Sequence, residues 1–122
     1  MKAEGQKIPV LTAYDFTFAR ILDEAGIPLI LVGDSAGMVF AGYKNTLSVA
    51  MDEMRYHTRA VAKGNKNALI VTDMPFLSYQ VSVKDAKKNA GLLVKDGAEA
   101  VKLEGGVNMA DTIKSIVDMD VP

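Results

Sequence analysis

The sequence predicts an α/β fold in which four strand–helix units build one parallel sheet. Short apolar runs that suit buried strands alternate with segments whose apolar residues recur at helical spacing. The strand segments show no alternation of apolar and polar residues, which indicates that both faces of the sheet are covered. We therefore expect a single α/β domain over residues 1–122.

The first two strands are predicted at residues 8–12 and 27–32. Asp15 is placed to cap the helix between them. Gly26 suits the left-handed residue that ends a helix, and Pro28 prevents the helix from resuming. Four residues at helical spacing would form the buried face of this helix: Phe16, Ala19, Leu22 and Ala25.

The third unit starts with a segment, residues 36–47, that has no strong period and is expected to form a long loop. Ser48 is placed to cap a helix that reaches about residue 63. The third strand is predicted at residues 68–72, and Met74 and Pro75 leave it in an extended conformation.

The fourth unit follows a capping box that begins at Ser82 and opens a helix, which Gly97 ends. The fourth strand is predicted at residues 98–103. Asn108 is expected to start a further helix, and residues 120–122 to approach a fifth strand.

Four such units would form half of an eight-stranded β/α barrel, with an open, flavodoxin-like sheet as the alternative. A half barrel leaves an exposed parallel edge on each side, which is a liability unless another strand pairs with it. We therefore expect the chain to be a fragment of a longer barrel or to assemble with a partner.

The composition limits the possible functions. A net charge of −1 over 122 residues gives no electrostatic case for binding nucleic acid or an anionic membrane. Neither a signal peptide nor an apolar run of about 20 residues is present, so we expect a soluble protein. The absence of cysteine excludes thiol chemistry and is compatible with a cytoplasmic location. No phosphate-binding glycine loop, dinucleotide fingerprint or catalytic triad is present.

Charged residues follow three successive strands. Asp34 and Asp73 come directly after the second and third strands, and Glu104 follows the fourth. Because ligands of β/α folds bind beyond the carboxyl ends of the strands, we expect these side chains to share one site. Asp34 and Asp73 are hard oxygen ligands that suit Mg²⁺. Alternatively, each caps the turn or helix that follows it.

Lys102 is the sharpest signal, because it lies within a strand of buried type, two residues before Glu104 and on the same face. Burial of an unpaired ammonium group is costly, so a lysine here indicates a function. The alternative is a simple Lys102–Glu104 ion pair. Gly105 and Gly106 either let the backbone approach a ligand or only form a turn.

Three further residues have less specific signals. Ser35 is able to bind a substrate carboxylate through its hydroxyl and N–H groups, or to form a local turn. Tyr14, at the end of the first strand, is a candidate to face the site. His57 lies in mid-helix and is expected to pack or to face solvent rather than to bind a ligand.

Five motifs, in this order, closely resemble ketopantoate hydroxymethyltransferase (3-methyl-2-oxobutanoate hydroxymethyltransferase). They cover nearly the whole chain: VLTAYD at 10–15, VGDSAGMV at 32–39, YHTRAV at 56–61, TDMPF at 72–76 and KLEGG at 102–106. Ala36 departs from the leucine expected after Gly-Asp-Ser.

The resemblance implies a TIM barrel and a cytoplasmic homo-oligomer, commonly a decamer. It also implies transfer of a one-carbon unit from 5,10-methylenetetrahydrofolate to 3-methyl-2-oxobutanoate, through a Mg²⁺-stabilised enolate, towards pantothenate and coenzyme A. By motif match, Asp34, Asp73 and Glu104 would bind Mg²⁺, the last directly or through water. Asp34, Ser35, Asp73 and Lys102 would hold the 2-oxo acid.

Family members are about twice as long, so the resemblance assigns this chain the first four β/α units. The glutamate base of the family would lie beyond Pro122, and we therefore expect the isolated chain to lack the full catalytic machinery. A related Mg²⁺-dependent 2-oxo acid enzyme of the phosphoenolpyruvate mutase and isocitrate lyase group is the alternative enzyme. A non-catalytic half-barrel module is the alternative of another class.

Overall fold

Four parallel strands form one sheet in the computed structural model, which describes residues 1–122. They lie side by side in chain order: β1 (Val10–Thr12), β2 (Leu29–Val32), β3 (Leu69–Asp73) and β4 (Ala100–Lys102). Three of them are shorter than predicted, and β3 is displaced by one residue. Strand β4 begins later than predicted because Ala98 still belongs to the preceding turn, where the Ala98 N–H donates to Leu93 O at 3.0 Å.

Five helices connect and flank the strands: α1 (Phe16–Glu24), α2 (Ala36–Val39), α3 (Met51–Gly64), α4 (Val83–Lys95) and α5 (Ala110–Val117). The predicted caps of α1 and α4 are confirmed. Asp15 accepts from Phe18 N–H at 2.8 Å, and Ser82 accepts from Asp85 N–H at 3.0 Å. Gly26, with a φ of 79°, has the predicted left-handed conformation.

Three predictions about helix positions are wrong. The segment predicted as a long loop contains α2, which has only four residues and is too short to show a period. Ser48 ends a short 3₁₀ turn instead of capping α3. The N-terminus of α3 is closed by Glu53, whose carboxylate accepts from Ala50 N–H at 2.7 Å. Asn108 lies within another 3₁₀ turn, so α5 begins two residues later than predicted.

The helices cover one face of the sheet. Ile30, Val32, Ile70 and Thr72 are buried on that face, in register across β2 and β3. The opposite face, which is the inner face of the curved sheet, is open. The prediction that both faces are covered is therefore wrong for this structure, although most positions on the open face away from the carboxyl ends of the strands are apolar.

The buried face of α1 was predicted only in part. Ala19 is fully buried, but Phe16 and Ala25 are exposed, and the second buried residue of the helix is Asp23. None of the helices combines the length and the apolarity needed to cross a membrane. At the outer side of β4, Val101 N–H donates to Pro122 O at 3.0 Å, so the final residues lie where a fifth strand was predicted to begin.

Candidate active site

The carboxyl ends of β2, β3 and β4 bring the predicted charged residues together. Asp73 and Lys102 are the last residues of β3 and β4 and face each other in the parallel register. Lys102 Nζ donates to Asp73 Oδ1 at 2.7 Å, and Asp34 N–H donates to Asp73 Oδ2 at 3.1 Å. One carboxylate thus links three strand ends.

A cavity of about 90 Å³ lies beside these groups. Ten residues line it: Asp34, Thr46, Leu47, Asp73, Met74, Phe76, Tyr79, Gln80, Lys102 and Glu104. Three carboxylates and one ammonium give it a formal net charge of −2 when all four are ionised. We call this the acidic cavity.

Asp34 has an unfavourable electrostatic environment as an anion. Burial, followed by the neighbouring charge of Asp73, raises the pKa of its carboxyl above the ordinary value, and Lys102 only partly offsets this. Two carboxylates next to each other in a partly buried cavity repel, and a bound cation would relieve that repulsion.

Lys102 is more exposed than predicted, because its side chain lies on the open inner face and is 44% accessible. Its principal partner is Asp73, and Glu104 Oε1 is more distant at 3.7 Å. Burial alone would lower the pKa of Lys102, but the hydrogen bond and the charge of Asp73 outweigh burial and raise it. Lys102 therefore stays an ammonium group.

Glu104 shares the cavity, but its side chain is 80% exposed. Its backbone is held by Tyr79, whose hydroxyl accepts from Glu104 N–H at 3.1 Å and donates to Glu104 O at 3.0 Å. Sequence reasoning missed Tyr79, because a tyrosine in an irregular loop carries no periodic signal.

Ser35 lies next to the acidic cavity but does not line it. Its Oγ is 2.9 Å from the hydroxyl of Tyr14, which follows β1 and does not line the acidic cavity either. His57 packs, as predicted. Its ring is buried among three aromatic rings, and its Nδ1 is 2.8 Å from Tyr14 O.

Gly33 makes this crowding possible. A Cβ atom there would lie 2.7 Å from Ser35 Oγ and 3.6 Å from Asp73 Oδ2. Any side chain would displace the serine hydroxyl from its contact with Tyr14. The glycine before Asp34 thus lets β1, β2 and β3 approach one another closely at this edge without moving the Ser35 hydroxyl.

The donor chemistry of Asp34 and Asp73 fits Mg²⁺. This ion takes one or two carboxylates in proteins and completes its shell with water and substrate oxygens. Each Asp73 oxygen accepts one hydrogen bond and keeps a lone pair for a second partner. No three His, Asp or Glu side chains are close enough to form an all-protein metal site.

The largest cavity, of about 390 Å³, lies elsewhere, between α2 and α3. Its walls are mostly apolar, with His57 and Glu53 at one side. Both Glu53 oxygens are already occupied, by Tyr43 and Ala50. We assign the chemistry to the smaller acidic cavity, because only there do charges from several strand ends converge.

Comparison with known proteins agrees with this geometry. The family model described as ketopantoate hydroxymethyltransferase matches residues 1–122. The chain belongs to the ketopantoate hydroxymethyltransferase family. Its relatives include the 3-methyl-2-oxobutanoate hydroxymethyltransferases of Geobacter metallireducens, 66% identical, and Clostridioides difficile, 61% identical. The alignments cover 100% and 99% of this chain but 46% and 44% of those proteins, so it spans about half their length.

Solved structures confirm the predicted fold class. A 2,3-dimethylmalate lyase of the PEP mutase/isocitrate lyase superfamily aligns with 96% of this chain and 45% of its own, with a TM-score of 0.72 and 14% identity. A phosphonopyruvate hydrolase in complex with oxalate and Mg²⁺ aligns over 94% of this chain and 42% of its own length, with a TM-score of 0.69 and 12% identity. The sheet and helices of this ketopantoate hydroxymethyltransferase family member correspond to about half of such a barrel.

Proposed function

We propose that this chain carries the metal- and 2-oxo-acid-binding part of a ketopantoate hydroxymethyltransferase. The reaction would convert 3-methyl-2-oxobutanoate, 5,10-methylenetetrahydrofolate and water into ketopantoate and tetrahydrofolate. The main support for this proposal is the acidic cavity, which is lined by four charged residues: Asp34, Asp73, Lys102 and Glu104. The chain that forms it is 66% identical to a protein named 3-methyl-2-oxobutanoate hydroxymethyltransferase.

Asp34 and Asp73 would hold Mg²⁺, and Glu104 would reach it directly or through water. When bound, the ion would withdraw electron density from the 2-oxo acid and so acidify the C–H group at C3. The net negative charge of the acidic cavity supports this assignment, because a divalent cation neutralises it.

Lys102 and Ser35 would hold the carboxylate and the 2-oxo group of the substrate. An ammonium group has three N–H donors, and Lys102 directs them at two carboxylates, so one remains for a substrate oxygen. Ser35 would donate its hydroxyl hydrogen to the substrate carboxylate. The resemblance places the base that removes the C3 proton beyond residue 122, so we assign this chain binding rather than proton abstraction.

The test is calorimetric titration of the chain with Mg²⁺ and 3-methyl-2-oxobutanoate, separately and together. We expect each ligand to tighten the binding of the other, because the substrate completes the shell of the ion. Asp34→Asn and Asp73→Asn should abolish this coupling, whereas the exposed control Asp111→Asn should preserve it. A folded chain that binds the 2-oxo acid equally with and without Mg²⁺ would contradict the proposal.

Deuterium exchange at C3 of 3-methyl-2-oxobutanoate then tests for chemistry. Mg²⁺-dependent exchange in D₂O that is lost in both aspartate variants would show a working base within these residues, with Glu104 the first candidate. The superfamily alternative shares the fold, so turnover that depends on tetrahydrofolate distinguishes the two.

A further inference from the structure

We infer that Tyr79 is a positioning residue, whose hydroxyl fixes the end of β4 and so keeps Glu104 at the acidic cavity beside Lys102. What this edge binds rests on the proposed function. What Tyr79 does rests on its contacts alone.

The hydroxyl of Tyr79 makes two hydrogen bonds to the backbone of one residue, Glu104, which is 25 residues away in the chain. It accepts from Glu104 N–H at 3.1 Å and donates its only hydrogen to Glu104 O at 3.0 Å. The phenol therefore acts both as a donor and as an acceptor towards the backbone of Glu104.

This contact lies where the regular sheet has ended. The last ladder bond of β4 runs from Met74 N–H to Lys102 O at 2.9 Å. Beyond it, Glu104 makes no backbone–backbone hydrogen bond. Gly105 has a φ of 142°, and Gly106 has open space where a side chain would lie. The next backbone hydrogen bond along the chain is from Met109 N–H to Gly106 O, so Tyr79 makes the hydrogen bonds that hold the backbone of Glu104 itself.

The ring of Tyr79 is itself well anchored. It is 5% exposed and belongs to the buried apolar core. The adjacent Ser78 carbonyl accepts from Asn89 of α4 at 2.6 Å, which ties the loop to the helix layer. The hydroxyl thus fixes the segment after β4 relative to α4 and the buried core.

The position of the Glu104 carboxylate depends on this contact. It lines the acidic cavity although it is mostly exposed, and its only charged partner is Lys102 at 3.7 Å. So weak a contact does not fix an exposed side chain. The position of this carboxylate relative to Asp34 and Asp73 therefore depends on where its backbone is held.

The first experiment measures backbone protection by amide hydrogen exchange with NMR. In Tyr79→Phe we expect the Glu104 amide to exchange about tenfold faster, because the ring stays but both hydrogen bonds are lost. The control Tyr43→Phe removes another partly buried tyrosine hydrogen bond, to Glu53, away from the acidic cavity, and should leave the Glu104 amide unchanged. Unchanged exchange at Glu104 in Tyr79→Phe would overturn the inference.

The second experiment uses Mn²⁺, a paramagnetic stand-in for Mg²⁺, in the presence of 3-methyl-2-oxobutanoate. We expect Tyr79→Phe to weaken Mn²⁺ binding about threefold to tenfold, consistent with one loosened ligand. In a Glu104→Gln background the same change should have no further effect. Equal weakening in both backgrounds would show that Tyr79 acts otherwise than through Glu104, which contradicts the inference. A wild-type chain that binds no Mn²⁺ would contradict the proposed function, and the exchange result would then decide the role of Tyr79.

Discussion

Asp34 lies at the end of β2 with its carboxyl half-buried beside Asp73, and its pKa is raised by burial and by that neighbouring charge. A raised pKa means that the folded state binds the proton more tightly than the unfolded state does. The resulting stability is fully present below the unfolded pKa, near 3.8, and is lost as the pH rises through the folded pKa. At neutral pH, ionised Asp34 therefore lowers the free energy of unfolding.

We predict that Asp34→Asn raises the free energy of unfolding at pH 7 by about 0.5 kcal/mol and has a much smaller effect at pH 3. The amide keeps the size of the side chain but removes its charge. Urea unfolding at both pH values measures the difference, with Asp111→Asn as the exposed control. The same difference at pH 3 and pH 7 would argue against repulsion as its cause. Added Mg²⁺ should reduce the difference in free energy of unfolding between Asp34→Asn and the wild type at pH 7, because the ion stabilises the wild type.

Tyr14 and Ser35 form a pair of hydroxyl groups that shares one hydrogen bond. A substrate carboxylate can only accept, so Ser35 must donate to it and Tyr14 must then donate to Ser35. We predict that Tyr14→Phe weakens 3-methyl-2-oxobutanoate binding about fivefold, the equivalent of about 1 kcal/mol, and leaves Mg²⁺ binding alone unchanged. Calorimetry measures both, with the exposed Tyr56→Phe as control. A parallel loss of Mg²⁺ affinity would indicate general damage to the edge instead.

The residues at this scale were predictable to different degrees. Asp34, Asp73 and Lys102 could be placed together from the sequence, because parallel strands deliver their carboxyl ends to one edge. The contact of Tyr79 with Glu104 could not, because it joins a side chain in an irregular loop to a backbone group 25 residues away. The exposure of Lys102 was also mispredicted, since the sequence does not reveal which face of a strand is covered.

At the scale of elements, a buried carboxylate fixes α1 to the turn before β3. Asp23 accepts hydrogen bonds from the N–H groups of Lys66, Asn67 and Ala68, and from the Asn67 side chain. Burial alone would raise the pKa of Asp23, but these hydrogen bonds outweigh burial and lower it. The stability that it contributes is therefore present above the unfolded pKa, near 3.8, and is lost as the pH falls through the lower folded pKa.

We predict that Asp23→Asn lowers the free energy of unfolding at pH 7 by about 3 kcal/mol, because an amide NH₂ would face N–H donors in a buried turn. Urea denaturation measures the loss. The adjacent Glu24→Gln is the control, since Glu24 makes only an exposed contact with Arg20. A loss as small as that of the control would mean that water replaces the carboxylate at the turn.

The helices show why element boundaries were predicted unevenly. Asp15 and Ser82 could be identified as caps because each lies directly before an amphipathic segment. The start of α3 was missed because the residue before it, Ala50, has no capping side chain, and its N–H donates instead to Glu53, inside the helix. Helix α2 was missed because four residues contain about one turn, which is too little for a period.

At the scale of the whole molecule, the strands are apolar on both faces, but only one face of the sheet is covered. Register places Val10, Leu29 and Leu69 in one layer of the inner face, below the acidic cavity. Such a layer is typical of the interior of a β/α barrel, in which side chains from several strands fill the centre. The apolar runs predicted strands that are buried on both faces. Within residues 1–122 only the helix side is covered, and Val10 and Leu69 remain 47% and 41% exposed.

An open apolar layer flanked by parallel strand edges should make the chain self-associate. We predict that sedimentation velocity shows association that increases with protein concentration, and that Leu69→Lys reduces this association by placing a charge in the apolar layer. The matched control is Val107→Lys, an equal change of character at a 92% exposed position outside the sheet. The acidic cavity lies at the other end of β3, so Leu69→Lys should leave the binding of Mg²⁺ with 3-methyl-2-oxobutanoate intact. A wild-type chain that stays monomeric at all concentrations, or an equal effect of both lysines, would contradict the role of the inner face. Reduced association with intact binding would instead show that the inner face drives association separately from the candidate site.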